Sequence, residues 1–158
     1  NPPSIGCDEP IVARGPLSLE IEAAFVEFAT GFPVRFTAHN TGALHTSVWD
    51  FGDGTVLTNQ PFTSHAWTAP GSYAVRLTGY NDDHPEGVST ELPVRVIEAV
   101  HYVNAANPEP VFPYTTWETA AQNIQDAATA GTVAGRSVRV TNGVYQTGAV
   151  EIVVSSSE

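Results

Sequence analysis

The sequence predicts a predominantly β chain, in which a β-sandwich is followed by a shorter segment that contains one helix. Between residues 17 and 98 apolar residues recur at every second position, which is the period of a strand with one buried face. Glycine, asparagine and aspartate separate these stretches, as they do at the turns of antiparallel sheets. Only after Thr115 does the apolar spacing change to three and four, the period of a helix.

The charge of the chain is strongly negative. Its 158 residues include 17 Asp or Glu and 6 Lys or Arg, for a net charge of -11, and all six cationic residues are arginine. Such a surface repels phosphate backbones and anionic membranes, so we expect no nucleic-acid partner. No stretch approaches the roughly 18–20 apolar residues of a membrane span, so we expect no membrane insertion.

The amino-terminal segment, residues 1–16, is predicted to be an extended arm. It contains four prolines and little periodicity. The single cysteine, Cys7, lies in this arm, so the chain can form no intrachain disulfide and no cysteine-based metal site. The chain begins without Met or a signal-like apolar segment, and we therefore expect a mature or excised piece of a longer protein.

Alternating stretches predict the strands of the sandwich in order. The first begins at Leu17, and its phase slips at residues 23–25, where we expect a bulge or a bend. Gly52-Asp53-Gly54 predicts a tight turn, because glycine tolerates positive φ and aspartate hydrogen-bonds its own backbone. The further predicted strands lie near residues 34–39, 46–51, 73–80 and 92–96.

Two motifs within these strands resemble those of the polycystic-kidney-disease (PKD) type domain. Residues 48–54 read VWDFGDG and residues 65–77 read HAWTAPGSYAVRL. In that family a W-D-F-G-D-G segment precedes an H-x-Y-x-x-P-G-x-Y-x-V-x-L segment, and Trp67 stands where Tyr or Phe is usual. The resemblance covers residues 17–98 and implies an immunoglobulin-like β-sandwich, in which His65 makes a structural hydrogen bond under the turn.

A helix is predicted to follow, with Thr115 as its N-cap and Glu118 completing a capping box. Gly131 is predicted to end it. Short strands are predicted at residues 137–141 and 150–154. The apolar residues that share one face of the predicted helix are Trp117, Ala120, Ala121, Ile124, Ala127 and Ala128.

Residues 101–108, 124–127 and 140–145 resemble the N-terminal cap and first coil of a right-handed parallel β-helix of the pectate-lyase-like kind. Gly135-Arg136-Ser137-Val138 stands where that family has G-D-T-V. The resemblance implies that residues 100–158 form a short, helix-capped and truncated parallel β-helix segment. Its open face would need a cover, since bare strand edges pair with other chains.

Candidate ligand sites are few. Asp50 and Asp53 either brace the turn by accepting backbone N–H groups or hold Ca²⁺ weakly, and calcium is the only cofactor that the sequence suggests. Trp49 and Trp117 are predicted to be core residues. Trp67 and Tyr80 are the better candidates for exposed aromatic contacts with a ligand such as a polysaccharide.

We predict that the chain is not an enzyme. Pectate-lyase-like folds that act on polysaccharides place paired acids, or acids with arginine, on later coils. Only Arg136, Arg139 and Glu151 lie in the corresponding part of this chain, and they form no acid–base constellation.

The segment Ala149–Val154 has high β-propensity and a single charge. We expect Ile152, Val153 and Val154, together with the amino-terminal arm, to join copies of the chain end to end, unless a longer parent chain covers the same face.

The function expected from these observations is that of an extracellular or cell-surface structural or adhesive module, which self-assembles into a filament through strand edges. The alternative is a carbohydrate-binding or spacer module from a larger polysaccharide-acting β-helix enzyme. The expected partners are accordingly further copies of the chain, the rest of its parent, or a polysaccharide.

Overall fold

The computed structural model describes residues 12–147 and 150–154, with side chains described up to Tyr145. Within these residues the chain is predominantly β and contains one helix, α1, at Ile124–Thr129. The strands are β1 Ser18–Ala23, β2 Glu27–Ala29, β3 Val34–Thr41, β4 Thr46–Asp50, β5 Val56–Thr58, β6 Phe62–His65, β7 Gly71–Asn81, β8 His84–Ile97, β9 Val100–Val103, β10 Ser137–Val140, β11 Gly143–Thr147 and β12 Val150–Val154.

The described residues group into two compact units. Unit 1 contains residues 12–24, 35–65 and 73–93, and unit 2 contains residues 25–34, 66–72, 94–147 and 150–154. The domain boundaries expected from the sequence, at residues 1–16, 17–98 and 100–158, stay a prediction.

Two sheets build the sandwich that the alternating sequence predicts. One sheet has the order β1-β3-β6, and β1 pairs antiparallel with β3. The other has the order β2-β8-β7-β4-β5, in which β4 pairs antiparallel with both β5 and β7. Every strand predicted for the sandwich is present, while the short strands β2, β5 and β6 have too few alternating residues to stand out in the sequence.

Large aromatic side chains form the core of unit 1. Phe36, Trp49 and Phe51 are fully buried, and their ring centroids lie 5.7–6.2 Å apart. Val75 and Leu77 of β7 are buried with them, and Leu77 lies opposite Trp49 across the β4–β7 ladder. The prediction that Trp49 belongs to the core is confirmed. Its indole N–H donates to the Gln60 carbonyl over 2.8 Å, so the buried polar atom is satisfied.

The expected interruption near residues 23–25 is a bend. Strand β1 ends at Ala23, and the chain resumes as β2, which pairs in parallel with the end of β8. In unit 2, Phe28 of β2 is fully buried and packs against Trp67 at a ring distance of 5.3 Å. The Gly31 N–H donates to the Trp67 carbonyl, which fixes the loop after β2 to the segment that carries this tryptophan.

The later part of unit 2 contains a small core of its own. Strand β9 pairs in parallel with β10. The buried residues of this core are Val103, Ala121, Ala127 and Tyr145, with Tyr114, Ile124, Val138 and Val140 packed against them.

The helix is shorter than the sequence predicts, and its predicted start at Thr115 is wrong. It begins at Ile124, where the Asn123 side chain caps it by accepting the Asp126 N–H over 2.8 Å. Ala121 cannot be helical because its N–H donates to the Tyr102 carbonyl and its own carbonyl accepts the Asn104 N–H. The Ala121 N–H and carbonyl are therefore hydrogen-bonded to β9 and the residue after it, and are not available for the hydrogen bonds of a helix.

The placement of Trp117 in the core is wrong for the same reason. Because residues 115–122 are not helical, this side chain does not share a face with Ala121 and Ala127, and it is 44% exposed. It contacts Tyr102 edge to face, with ring centroids 4.6 Å apart.

The last two strands form an antiparallel hairpin. Strand β11 pairs with β12 from Gly143 opposite Val154 to Thr147 opposite Val150. The parallel pair β9–β10 is the arrangement expected in a β-helix coil, whereas an antiparallel hairpin is not. The β-helix therefore stays a prediction.

Candidate functional site

The turn after β4 carries the acidic residues that the sequence singles out. Asp50 Oδ1 accepts the Gly52 N–H over 2.9 Å, and Asp53 Oδ1 accepts the Thr55 N–H over 3.0 Å. Gly52 has a φ of +75°, and a Cβ added there would lie 3.1 Å from the Ala74 carbonyl oxygen. The interpretation that both aspartates brace the turn is confirmed.

His65 connects this turn to the aromatic core. Its Nε2 lies 2.7 Å from Asp53 Oδ2, and because an ionised carboxylate only accepts hydrogen bonds, the ring nitrogen is the donor. The imidazole also stacks on Phe51, with centroids 4.3 Å apart. The side chains of His65 and Asp53 are 13% and 22% exposed. The expected structural hydrogen bond of His65 is confirmed.

The surroundings of Asp53 lower its pKa below the usual value. Burial of the carboxyl by itself raises the pKa, but the hydrogen bonds from His65 and Thr55 stabilise the ionised form and outweigh that cost. Asp53 therefore remains a carboxylate into the acid range.

Both Asp53 oxygens are thus engaged, one by Thr55 beside the turn and one by His65 of β6. Further acidic groups in unit 1 are also engaged, since Asp83 Oδ2 accepts the Gly15 N–H and Asp82 lies 3.7 Å from Arg14. Within residues 12–147 and 150–154, as far as their side chains are described, no three His, Cys, Asp or Glu side chains are grouped to hold a metal ion.

The two aromatic candidates for ligand contact differ in exposure. Trp67 is 1% exposed, so the expectation that its face is available to a ligand is wrong: its position in the motif places it against Phe28 in a core. Tyr80 is half-buried at the end of β7. It lines a shallow cavity of about 490 Å³ with His45, Asp82 and Pro85.

Asn81 is a structural residue that sequence reasoning missed. It is fully buried, and its amide donates to the carbonyls of Gly15 and Ala43 at 3.0 and 3.1 Å. Its Oδ1 accepts the N–H groups of Asp83 and His84. The Asp82 N–H also bonds the Ala13 carbonyl. The described end of the arm is therefore held within unit 1, and the only available signal was the polar side chain at the end of an apolar strand.

The exposed aromatic residues at 111–117 were also missed. Phe112 is 67% exposed and Trp117 is 44% exposed, while Tyr102 and Tyr114 are half-buried beside them. Phe112 contacts Tyr114 edge to face at 5.9 Å. Adjacent to these rings, Glu118 has a lowered pKa because its carboxylate accepts hydrogen bonds from its own backbone N–H and from Thr116.

The side chains of the proposed joining residues Ile152, Val153 and Val154 lie outside the described side chains, and so does that of Glu151. Their backbone forms β12, paired with β11. No helix in the described part of the chain is long and apolar enough to cross a membrane.

Comparison with known families supports one of the two resemblances. Residues 18–94 match the family model of the PKD domain, from the start of β1 into β8. The predicted resemblance to this domain is thereby confirmed, and the β-helix stays a prediction. No curated protein matches the chain.

Solved structures similar to the chain include a carbohydrate-binding module and PKD domains. One comes from a study of the promiscuous specificity of carbohydrate-binding modules of the β-sandwich superfamily (21% identity, TM-score 0.49), covering 60% of this chain and 38% of that one. The PKD1 domain of Vibrio anguillarum Epp (22%, TM-score 0.44) covers 52% of this chain and 94% of that one. The PKD domain of human VPS10 domain-containing receptor SorCS2 (24%, TM-score 0.44) covers 55% and 76%.

Proposed function

We propose that the chain is a non-catalytic structural or adhesive module, located outside the cell or on its surface, that joins copies of itself through strand edges. The observation that carries this proposal is the β11–β12 hairpin, a two-stranded sheet among the described residues. A two-stranded sheet has two edges, and a further strand can add to an edge whose backbone groups are unpaired.

The composition of β12 supports this use of the edge. The segment Val150–Val154 has four β-branched residues and one charge, so it pairs readily and aggregates if it is left uncovered. The competing explanation is that later residues of a longer chain cover the edge.

A paired experiment separates these explanations. We expect chain 1–158 to sediment as oligomers, and Ile152→Asp or Val154→Asp to return it to monomers, because a charge on the joining strand opposes pairing. The matched control is Val56→Asp in unit 1, which adds the same charge at a side chain that is 53% exposed. Unchanged assembly in both β12 variants would contradict the proposal. So would a monomeric chain 1–158 if mass spectrometry of the protein from its natural source gave a polypeptide mass well above 16.8 kDa, because a longer chain then covers the edge.

The absence of catalysis and the location outside the cell are parts of the same proposal. The match to the PKD domain supports both, as do the acidic, lysine-free composition and the lack of an acid–base constellation around Arg136, Arg139 and Glu151 in the sequence. We expect no turnover of pectin, alginate or xylan by the purified chain. Reproducible turnover that is lost on changing Arg139 or Glu151 would overturn this part.

A second candidate function is carbohydrate binding. It is favoured by one observation, the exposed aromatic side chains at residues 111–117, since aromatic rings on a soluble surface are typical of binding sites. Retardation of the chain in native gels that contain neutral polysaccharides would support this candidate, and unaltered mobility would count against it.

A further inference from the structure

We propose that Trp117 and Phe112 form the binding surface for a neutral polysaccharide, with Trp117 as the principal stacking platform. This inference rests on the second candidate function and assigns it to particular residues. Sugar rings present flat, weakly polar C–H faces that pack on aromatic side chains, while their hydroxyl groups bond to polar neighbours. A binding site of this kind needs exposed rings, a rigid support and nearby hydrogen-bonding groups.

The exposed rings forgo the free energy that their burial would contribute to folding. Phe112 and Trp117 are 67% and 44% exposed, and neighbouring Val111 is 55% exposed. Burying one such side chain typically contributes about 1.5–3 kcal/mol. Three exposed apolar side chains therefore lie within seven residues of the sequence. Exposed apolar groups of this kind are candidates for an interaction patch.

The exposure is not a result of a loosely held loop. The Val111 N–H donates to the Thr119 carbonyl over 3.0 Å, and the Tyr114 N–H donates to the Val111 carbonyl over 2.9 Å. Buried Asn107 donates to the carbonyls of Glu118 and Ala120 over 3.2 and 2.6 Å. These bonds fix both ends of the segment, so the rings are held before any ligand arrives and little ordering entropy is lost on binding.

Half-buried tyrosines support the rings from the protein side. Tyr102 contacts Trp117 at 4.6 Å, and Tyr114 contacts Phe112 at 5.9 Å, both edge to face. The Tyr102 N–H donates to the Tyr114 carbonyl over 2.7 Å, which joins the two pairs. Tyr114 in turn packs against the small core of unit 2.

The charges around the rings indicate which polysaccharide fits. Residues 107–119 include Glu109 and Glu118, and the whole chain has a net charge of -11. One cationic residue, Arg139, lies opposite Tyr102 in the β9–β10 pair, so the two carboxylates of the segment outnumber it. Uronate polymers would be repelled, whereas carboxylates are good hydrogen-bond acceptors for the hydroxyl groups of neutral sugars.

The size of the patch favours a polysaccharide over a protein partner. A specific protein interface takes about 800 Å² and 20–30 residues from each partner. Here the exposed apolar side chains are confined to Val111, Phe112 and Trp117, flanked by prolines and glutamates. A platform of one or two rings suits successive sugar units of a polymer.

The test uses tryptophan fluorescence of the full chain. Trp49 and Trp67 are 0% and 1% exposed, so acrylamide should quench mainly Trp117. We expect xylan, glucomannan or mixed-linkage β-glucan to protect Trp117 from quenching and to retard the chain in native gels. Polygalacturonate and alginate should do neither.

Substitutions then assign the site. We expect Trp117→Ala to weaken binding at least about tenfold, a loss usual for an aromatic anchor, and Trp117→Tyr to keep most of the affinity. Phe112→Ala should have a smaller effect in the same direction. The matched control is Phe62→Ala, which removes a ring that is 72% exposed in unit 1 and should leave binding unchanged.

Three results would overturn the inference. If none of the neutral polysaccharides binds, both the site and the second candidate function are wrong. If one binds equally well to wild type and to Trp117→Ala, carbohydrate binding stands and only the site is wrong. Loss of an oligomer in Trp117→Ala, without any polysaccharide effect, would assign the surface to a second copy of the chain instead.

Discussion

His65 Nε2 and Asp53 Oδ2 lie 2.7 Å apart, and this hydrogen bond ties the end of β6 to the turn after β4. The same imidazole stacks on Phe51, so a polar surface turn is connected directly to the aromatic core of unit 1. The pair therefore couples the protonation of a surface carboxyl to the stability of the sandwich.

We expect the sandwich to lose stability in acid through this pair. The folded pKa of Asp53 is below its usual value, so the stabilisation is fully present above the unfolded value of about 3.9 and is lost as the pH falls through the lower, folded value. Urea unfolding followed from pH 7 to pH 2 would measure this loss, and Asp53→Asn should reduce the slope below about pH 4.

At pH 7, Asp53→Asn should lower the free energy of unfolding by about 1–2 kcal/mol, because it replaces a charge-assisted hydrogen bond by a neutral one. The control is Asp50→Asn. That exposed side chain accepts the Gly52 N–H, so a smaller loss of about 0.5 kcal/mol is expected. Equal losses in the two variants would show that the His65 contact adds nothing.

Asn81→Ala should be among the most destabilising single substitutions in unit 1. It removes bonds to two carbonyls and two N–H groups at a fully buried position, and we expect a loss of about 3 kcal/mol or more. Asn40→Ala is the matched control, because Asn40 is exposed and donates to Gly42 two residues away. Thermal unfolding of both variants would test the difference, and similar melting temperatures would contradict it.

Gly52→Ala and Gly54→Ala should differ although both positions have positive φ. Each substitution carries backbone strain of about 1 kcal/mol, but only the Cβ at residue 52 meets backbone, 3.1 Å from the Ala74 oxygen. We therefore expect the larger loss of stability for Gly52→Ala. The opposite order in urea unfolding would mean that the turn moves away from β7 at little cost.

Calcium is expected to stabilise the chain only weakly, because the Asp53 oxygens already accept hydrogen bonds from Thr55 and His65. A chelator should change the melting temperature by a few degrees at most. A decrease of more than about 10 °C, roughly 2 kcal/mol for a domain of this size, would reveal a true metal site.

The sandwich could be predicted because its signals are local. Alternation across β1, β3, β4 and β7 and the glycine-containing turn at residues 52–54 depend on neighbouring residues only. The helix start could not be predicted. The capping box at Thr115 favours a helix there, but Ala121 pairs with Val103 of β9, and this contact between residues distant in the sequence leaves no local signal. Trp67 was expected to be exposed and Trp117 to be buried, and the structure shows the reverse. The reason is similar, since the residues that each side chain contacts are remote in the sequence.

The candidate site likewise contains residues that could be predicted from local motifs and one that could not. Asp50, Asp53 and His65 were placed correctly because they belong to two recognisable motifs, at residues 48–54 and 65–77. The carbonyl groups that accept from Asn81 belong to Gly15 and Ala43, which are remote in the sequence, so no neighbouring residue predicts these two bonds.

The parallel pairing of β2 with the end of β8 determines how the module would carry mechanical load. Tension on the chain before β2 and after β8 pulls these strands along their length in opposite directions. Such a force shears the hydrogen bonds from the Arg95 N–H to the Val26 carbonyl and from the Thr30 N–H to the Ile97 carbonyl together, rather than opening them one at a time. The ion pair of Glu27 with Arg95 lies across the same two strands.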